Sequence, residues 1–208
     1  MELLTVFTTI TVALITAVIG PILVNWVRLK MEKKDANTPM RDALETSTLI
    51  DTQLEQIMEE LGCDRVWIAQ FHNGGHFYPT GRSIQKFSIF YEKCTPIIPT
   101  IQTTFQNIPV SLFPRVLSKI YKDNELSITD VTLEKDTYGL EYITTQFNTK
   151  SVCMVGLHSL DNHLIGVLTI SFQNPHHIGK DEWIYIRQKV GVIGTLLSEY
   201  LYQTNKKK

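Results

Sequence analysis

The sequence predicts an α+β domain, a central antiparallel sheet with helices on its faces, carried behind one N-terminal transmembrane helix. Three observations lead there. Residues Leu3 to Val27 contain no charged side chain. Two long helical repeats bracket the rest of the chain, and the strand-like segments between them come in runs, an order that fits α+β rather than a parallel α/β sheet. The 208 residues, 43% hydrophobic and 10% aromatic, suit one globular domain with an appendage. With 20 Lys and Arg against 21 Asp and Glu, the formal net charge of -1 lacks the basic footprint of a nucleic-acid binder, so no nucleic-acid partner is expected. Cys63, Cys94 and Cys153 are odd in number and lack C-x-x-C spacing, which fits a reducing compartment better than a disulfide framework or a zinc ribbon.

A helix needs roughly 20 apolar residues to cross a hydrocarbon core of about 30 Å, and the run from Leu3 to Val27 is long enough. The hydroxyls of Thr5, Thr8, Thr9, Thr11 and Thr16 can bond back to helix carbonyls, and Gly20 with Pro21 predicts a kink. Only Glu2 precedes the run, without a basic n-region, so an uncleaved anchor is expected rather than a signal peptide. Trp26 suits an interfacial belt, and Arg28, Lys30, Lys33 and Lys34 come directly after it. By the positive-inside rule the N-terminus lies outside and the C-terminal domain is cytoplasmic, a single-pass inner-membrane topology. The expected layout is an anchor over residues 1–30, a linker over 31–38, a domain over 39–203 and a basic tail over 204–208 ending in Lys206, Lys207 and Lys208.

Within the domain, Thr38 suits an N-cap and Pro39 a first turn, with a helix running to Leu61 and stopped by Gly62. Its apolar seam, Ala43, Ser47, Ile50, Leu54, Ile57 and Leu61, alternates by four and three. The final helix, Lys180 to Tyr202, repeats the device with Trp183, Ile186, Val190, Ile193, Leu197 and Tyr200. These seams predict a homodimer interface at Ile50, Leu54, Ile57, Ile186, Val190, Ile193 and Leu197. The alternative is packing on the chain's own sheet, which the wider stripe through Leu196 and Leu201 also allows. Strands are predicted over Arg65 to Phe71, Lys86 to Glu92, Leu126 to Val131, Ser151 to Ser159 and His163 to Gln173, the last two as a hairpin around Asp161 and Asn162. Phe113 to Tyr121 reads as a helix, with a polar turn over Lys122 to Glu125.

Gly62-Cys63-Asp64-Arg65-Val66 leading into a strand, the hairpin Gly156 to Phe172 with Gly166 in the phrase LIGVLTISF, and the long closing helix resemble the GAF domain over about residues 40 to 202. Ile108-Pro109, then Tyr121, Asn124, Ile128, Asp130 and Val131, resemble its phytochrome-type branch. The resemblance implies a sheet of five or six strands, a ligand pocket on one sheet face and dimerisation through the terminal helices. The departures are informative too. With Tyr142 aligned to the tyrosine-like position of that branch, Tyr138 and Gly139 stand where it carries Cys-His, and Leu126 where it often has arginine. A covalently bound bilin is therefore not expected. The Asn-Lys and Phe signature of cyclic-nucleotide-binding members has no counterpart either. No kinase, cyclase or phosphodiesterase region comes after residue 202, so output is expected through a separate, unidentified protein partner.

The most unusual phrase is Phe71-His72-Asn73-Gly74-Gly75-His76-Phe77-Tyr78. Its glycines free the backbone, and His72, Asn73, His76 and Tyr78 offer donors and acceptors, with Arg82 and Lys86 nearby in sequence to attract an anionic or aromatic ligand. The competing reading is an ordinary Asn-Gly turn. Tyr91-Glu92 and Asp130 are further candidates at strand ends facing a pocket, with aromatic core contact or a turn cap as the competing reading. His72 with His76, and His176 with His177, lack a third ligand at a recognised spacing, so no metal is expected. One class of GAF-fold enzymes reduces free methionine sulfoxide with cysteines, and here only Cys94 looks accessible. Nothing resembles a Ser-His-Asp elbow, a P-loop or a paired-carboxylate site. The sequence thus predicts a non-enzymatic, membrane-anchored sensory or interaction domain that binds a small ligand or a protein, its cofactor unidentified. A ligand-free assembly module of bacterial or phage type and a thiol reductase are the alternatives.

Overall fold

The computed structural model describes residues 38–205 and, ahead of them, Trp26. Apart from Trp26, the expected anchor and the linker as far as residue 37 lie outside the described residues, as do Lys206, Lys207 and Lys208. Among the described residues no helix is long and apolar enough to cross a membrane. The chain divides into two compact units, Met1–Leu44 and Glu45–Lys208, and the sheet with its coverings belongs to the second.

In chain order the elements are helix α1 (Thr38–Leu61), strands β1 (Arg65–His76) and β2 (Ser83–Cys94), a short strand β3 (Ile108–Pro109) running into a 3-10 turn, and helix α2 (Pro114–Asp123). Then come β4 (Glu125–Ile128), α3 (Glu141–Gln146), β5 (Ser151–His158), β6 (Leu164–Phe172) and α4 (Lys180–Asn205). Gly62, at a φ of 59°, ends α1 in the left-handed conformation that glycine adopts without penalty. The strands form one antiparallel sheet in the order β3-β2-β1-β6-β5-β4.

Side chains alternate across each strand, so the sheet has two chemically distinct faces. On one, Val66 and Ile68 of β1, Cys153, Val155 and Leu157 of β5, and Leu168, Ile170 and Phe172 of β6 meet α1 and α4. On the other, Trp67 and Phe71, Val152 and Met154, and Val167 meet α2 and the loops around it. Gly166 of β6 permits close strand packing, because a Cβ there would stand 2.4 Å from the Ala69 carbonyl oxygen.

The helix face corrects one expectation. Ile50, Leu54, Ile57, Ile186, Ile193 and Leu197 are fully buried in this layer, and Val190 packs against it. The seam assigned to a second copy is occupied by the chain's own sheet. A repeat of alternating threes and fours marks a helix that packs along its length but does not say onto what.

A second difference lies in the first hairpin. β6 pairs with β1 only from Arg65 to Gln70, while β1 continues against β2 as far as His76 and Ser83. Beyond β6 the hairpin is flanked by β3 at Lys86 and Phe87, and only its end, from Asn73 and Gln85 to His76 and Ser83, is a two-stranded arm. Asn73-Gly74 lies within the strand; the reversal comes at its end, where the Phe77 N–H donates to the Arg82 carbonyl (2.8 Å) and the Gly81 N–H to the Phe77 carbonyl (2.8 Å).

Candidate functional site

The second sheet face carries a cavity of about 70 Å³. Its floor is formed by β1, β2, β5 and β6, and its roof by Ile101 and Phe105 of the β2–β3 loop, Phe113, α2 and Phe147 at the end of α3. Aromatic and aliphatic side chains dominate the lining, as expected of a small-molecule site. Phe87 and Phe113 meet edge to face with centroids 5.7 Å apart, as do Phe105 and Phe147 at 5.9 Å, an arrangement favoured by the ring quadrupoles.

A β-bulge sets the chemistry of the site. Ile68 pairs with Tyr91 but Ala69 pairs with Ile89, so Phe90 is an extra residue in β2 and the face assignment switches there. Phe87 and Ile89 face the cavity before the bulge. After it, Tyr91 turns to the helix face and Glu92 comes beside Arg65.

Arg65 and Glu92 form a buried ion pair, with side chains 2% and 1% exposed and Arg65 Nε 3.1 Å from Glu92 Oε1. The Nε–H is not aimed along this line, so the contact is ionic rather than a formed hydrogen bond. Arg65 Nη2 donates to the Pro99 carbonyl at 2.7 Å, and the guanidinium lies 5.8 Å from the Phe147 ring centroid. The Glu92 carboxylate accepts the Ile101 N–H (2.9 and 3.0 Å) and the Gln102 N–H (2.8 Å). Both partners thus hold the roof loop by its backbone. Gln106 Nε2 ties the loop down again by donating to the Ile89 carbonyl at 2.7 Å.

None of the seven ligand residues expected from the sequence lines this cavity. Of those in the first hairpin, His72 and Lys86 pair with each other beside β3, and Asn73, His76 and Tyr78 belong to the two-stranded arm or its tip. His72 Nε2 lies 2.9 Å from Ser88 Oγ, Asn73 Oδ1 accepts from Gln85 Nε2 at 2.8 Å, and Lys86 runs across Gly74. His76 is exposed and Tyr78 is 98% exposed. Tyr91 packs against the helix-face core because of the bulge; burial pushes its hydroxyl up, and a hydrogen bond with Ser47 offsets part of that. Asp130 is a turn cap. Its carboxylate accepts the Thr132 hydroxyl (2.6 Å) and N–H (2.9 Å), and these bonds hold it below the usual carboxylate range.

Sequence reasoning passed over Arg65 and Thr169, and named Glu92 beside Tyr91 as facing a pocket without the ion pair that fixes its role. A signal existed in the strands themselves: Arg65 begins an otherwise uncharged strand, and Thr169 and Ser171 alternate with Leu168 and Ile170 in LIGVLTISF.

The thiols have the wrong environment for a nucleophile. Burial pushes Cys63 up to about 12 and raises Cys153 as well. Cys94 is also raised, by partial burial first and by nearby Glu92, with Arg65 opposing. A reactive cysteine needs the opposite shift. Among the described residues no group of three His, Cys, Asp or Glu is placed to hold a metal ion. His176 instead stacks on Phe172 with centroids 4.0 Å apart and places Nε2 3.0 Å from Glu182 Oε1.

The sheet order, the helix pair on one face and the roofed cavity on the other define a GAF-type fold. Solved GAF domains match it at low sequence identity. The blue-light-absorbing form of the PixJ GAF domain from Thermosynechococcus elongatus aligns with a TM-score of 0.63 and 16% identity, covering 80% of this chain and 94% of that one. A phycocyanobilin-bound GAF domain from a cyanobacterial phytochrome gives 0.61 and 20%, covering 80% and 92%. A far-red cyanobacteriochrome photoreceptor gives 0.59 and 16%, covering 84% and 98%. No family model and no curated protein matches the sequence.

Proposed function

We propose that this chain is a membrane-anchored sensory protein whose GAF-like domain takes a small ligand in the cavity of the second sheet face. The observation that carries the proposal is the roof: an otherwise apolar cavity is closed by a loop whose backbone is held by a buried ion pair. An ion pair in such a place contributes little net stability, because desolvation offsets its attraction. It does fix one arrangement of the loop. A ligand that favoured one loop arrangement would bias β1 and β2, and through their opposite side α1 and α4. The domain would be non-enzymatic and cytoplasmic, its N-terminus outside an inner membrane, and its output passed through dimerisation or a partner protein.

The bilins of the similar structures are not the ligand proposed. None of Cys63, Cys94 and Cys153 lines the cavity, Tyr138 and Gly139 stand where the phytochrome branch has Cys-His, and about 70 Å³ is far less than a tetrapyrrole needs.

The ligand reading is tested by native mass spectrometry of the full chain released from membranes. A defined small molecule leaving on mild unfolding is the expected result. A chain carrying nothing, with a cavity that no small-molecule probe enters, would move the assignment to the ligand-free assembly module.

A further inference from the structure

Among the groups lining the cavity, Arg65 carries the one formal charge, and it is already answered: Glu92 lies 3.1 Å away and the Pro99 carbonyl accepts at 2.7 Å. The site therefore offers an ionic ligand no unbalanced counter-charge. The hydroxyls differ among themselves. Thr144 Oγ1 donates to the Leu140 and Glu141 carbonyls, each at 3.0 Å, and Ser171 Oγ lies 3.4 Å from the Arg65 carbonyl. Among the described hydroxyls lining the cavity, that of Thr169 is the one that is both buried and without a partner. Its residue is 1% exposed, it lines the cavity, and its Oγ1 has no hydrogen-bond partner among the described residues.

A buried hydroxyl without a partner is costly, and native proteins rarely leave one so. In register Thr169 stands between Trp67 of β1 and Met154 of β5, at the middle of the apolar floor. The cavity's size, about 70 Å³, falls well short of the roughly 300–1,000 Å³ of sites for drug-sized ligands. Its occupant is limited to about one ring. We infer that the ligand is a small, neutral, single-ring molecule carrying one hydroxyl or comparable group, which hydrogen-bonds to Thr169 Oγ1 while its apolar body packs among the aromatic side chains. This inference rests on the proposal that the cavity is a ligand site.

Phenol, toluene and benzoate separate the elements of the inference. Each is titrated into the full chain, with binding monitored by the methyl resonances of Met154 and Val167, in the wild type and in Thr169→Val and Thr169→Ser. Toluene matches phenol in shape without the hydroxyl, and benzoate adds the charge. The expected result is that phenol and toluene both shift these methyls, that the phenol-to-toluene affinity ratio falls about fivefold in Thr169→Val, the worth of one neutral hydrogen bond, and that Thr169→Ser keeps the ratio. Comparing ratios between variants cancels any partition of the probes into detergent or lipid. An unchanged ratio in Thr169→Val would leave the cavity a binding site but remove Thr169 as its anchor. Tighter binding of benzoate than of phenol would overturn the neutral class. If no probe shifts the methyls, the ligand-site proposal falls and takes this inference with it.

Discussion

The two faces of the sheet are built from the same strands but by different means. The helix face is closed by two long helices whose seams are mostly branched aliphatics, and Ile50, Leu54, Ile57, Ile186, Ile193 and Leu197 are fully buried there. The cavity face is closed by short pieces: one ten-residue helix, one six-residue helix, a 3-10 turn and a loop. It retains a buried ion pair and an unpartnered threonine hydroxyl where the other face is apolar. Continuous helices give the first face a dense and uniform cover, whereas loops held at a few polar points leave room for a second molecule. One face holds the fold together and the other is free to carry a site.

The largest expected effect comes from breaking the polar fastening of the cavity face. Glu92→Ala strands the Arg65 guanidinium in a buried position and frees the Ile101 and Gln102 N–H groups, so a loss of about 3–5 kcal/mol is expected. Replacing both partners, Arg65→Met with Glu92→Leu, restores most of that stability while leaving the roof loop mobile. Urea unfolding gives the stabilities and amide exchange over residues 98–106 the mobility. Equal instability of the single and double variants would contradict the separation drawn between stability and loop fixation.

On the helix face the expected cost is of the ordinary packing kind. Leu54→Ala removes a fully buried side chain from between α1 and the sheet, for about 2–5 kcal/mol by the same unfolding assay. Amide exchange at the roof should rise no more than the global loss requires, since the change is on the far side of the sheet.

The sequence is far more legible on the helix face than on the cavity face, and the reason is physical. Helix α1 ends at Leu61, where the glycine signal places its stop, because termination is a local property. Strands β5 and β6 likewise emerge from alternation around Asn162. The cavity depends on relations between distant residues. Arg65 and Glu92 meet only because a bulge at Phe90 reverses the strand's facing, and the roof over residues 95–107 has no repeat to read. The histidine- and glycine-rich phrase drew attention by composition, yet from Asn73 onward its residues extend along a two-stranded arm away from the cavity. The same sequence signal that revealed the two helix seams could not tell a sheet from a second copy as their partner.

A smaller effect separates the faces by pH. Cys63 and Cys153 both belong to the helix-face core, and burial raises both thiols. For Cys63 the folded value is about 12 against an ordinary 9.0. Above about pH 9 the unfolded chain releases this proton while the folded chain keeps it, so the unfolded state binds fewer protons and stability falls with rising pH. The contribution is fully present below about pH 9 and is lost progressively toward about pH 12. Stability measured under reducing conditions at about pH 8 and pH 11 should therefore fall less in Cys63→Ala than in the wild type, whatever the variant's starting stability. Identical slopes would mean that the thiol is not held neutral by its burial.

The smallest change in stability is expected where the helix face meets solvent, and there it sharpens the comparison most. With the seams occupied by the sheet, self-association through α1 and α4 has to use their outward sides, where Leu49, Ile184 and Val192 are 51%, 56% and 43% exposed. Surface substitutions of this kind generally move stability by no more than about 0.5 kcal/mol. Leu49→Lys with Val192→Lys should therefore leave the unfolding midpoint almost unchanged while shifting the full chain toward monomer in sedimentation equilibrium. Ile57→Ala, on the buried side of the same helix, should do the reverse: it lowers the midpoint by several degrees but leaves the association constant of the folded chain intact. If the double lysine variant associates as the wild type does, the outward sides of α1 and α4 are not an interface. Dimerisation would then have to be sought at another surface, such as the free edge of β4, where the sheet ends with one strand partner.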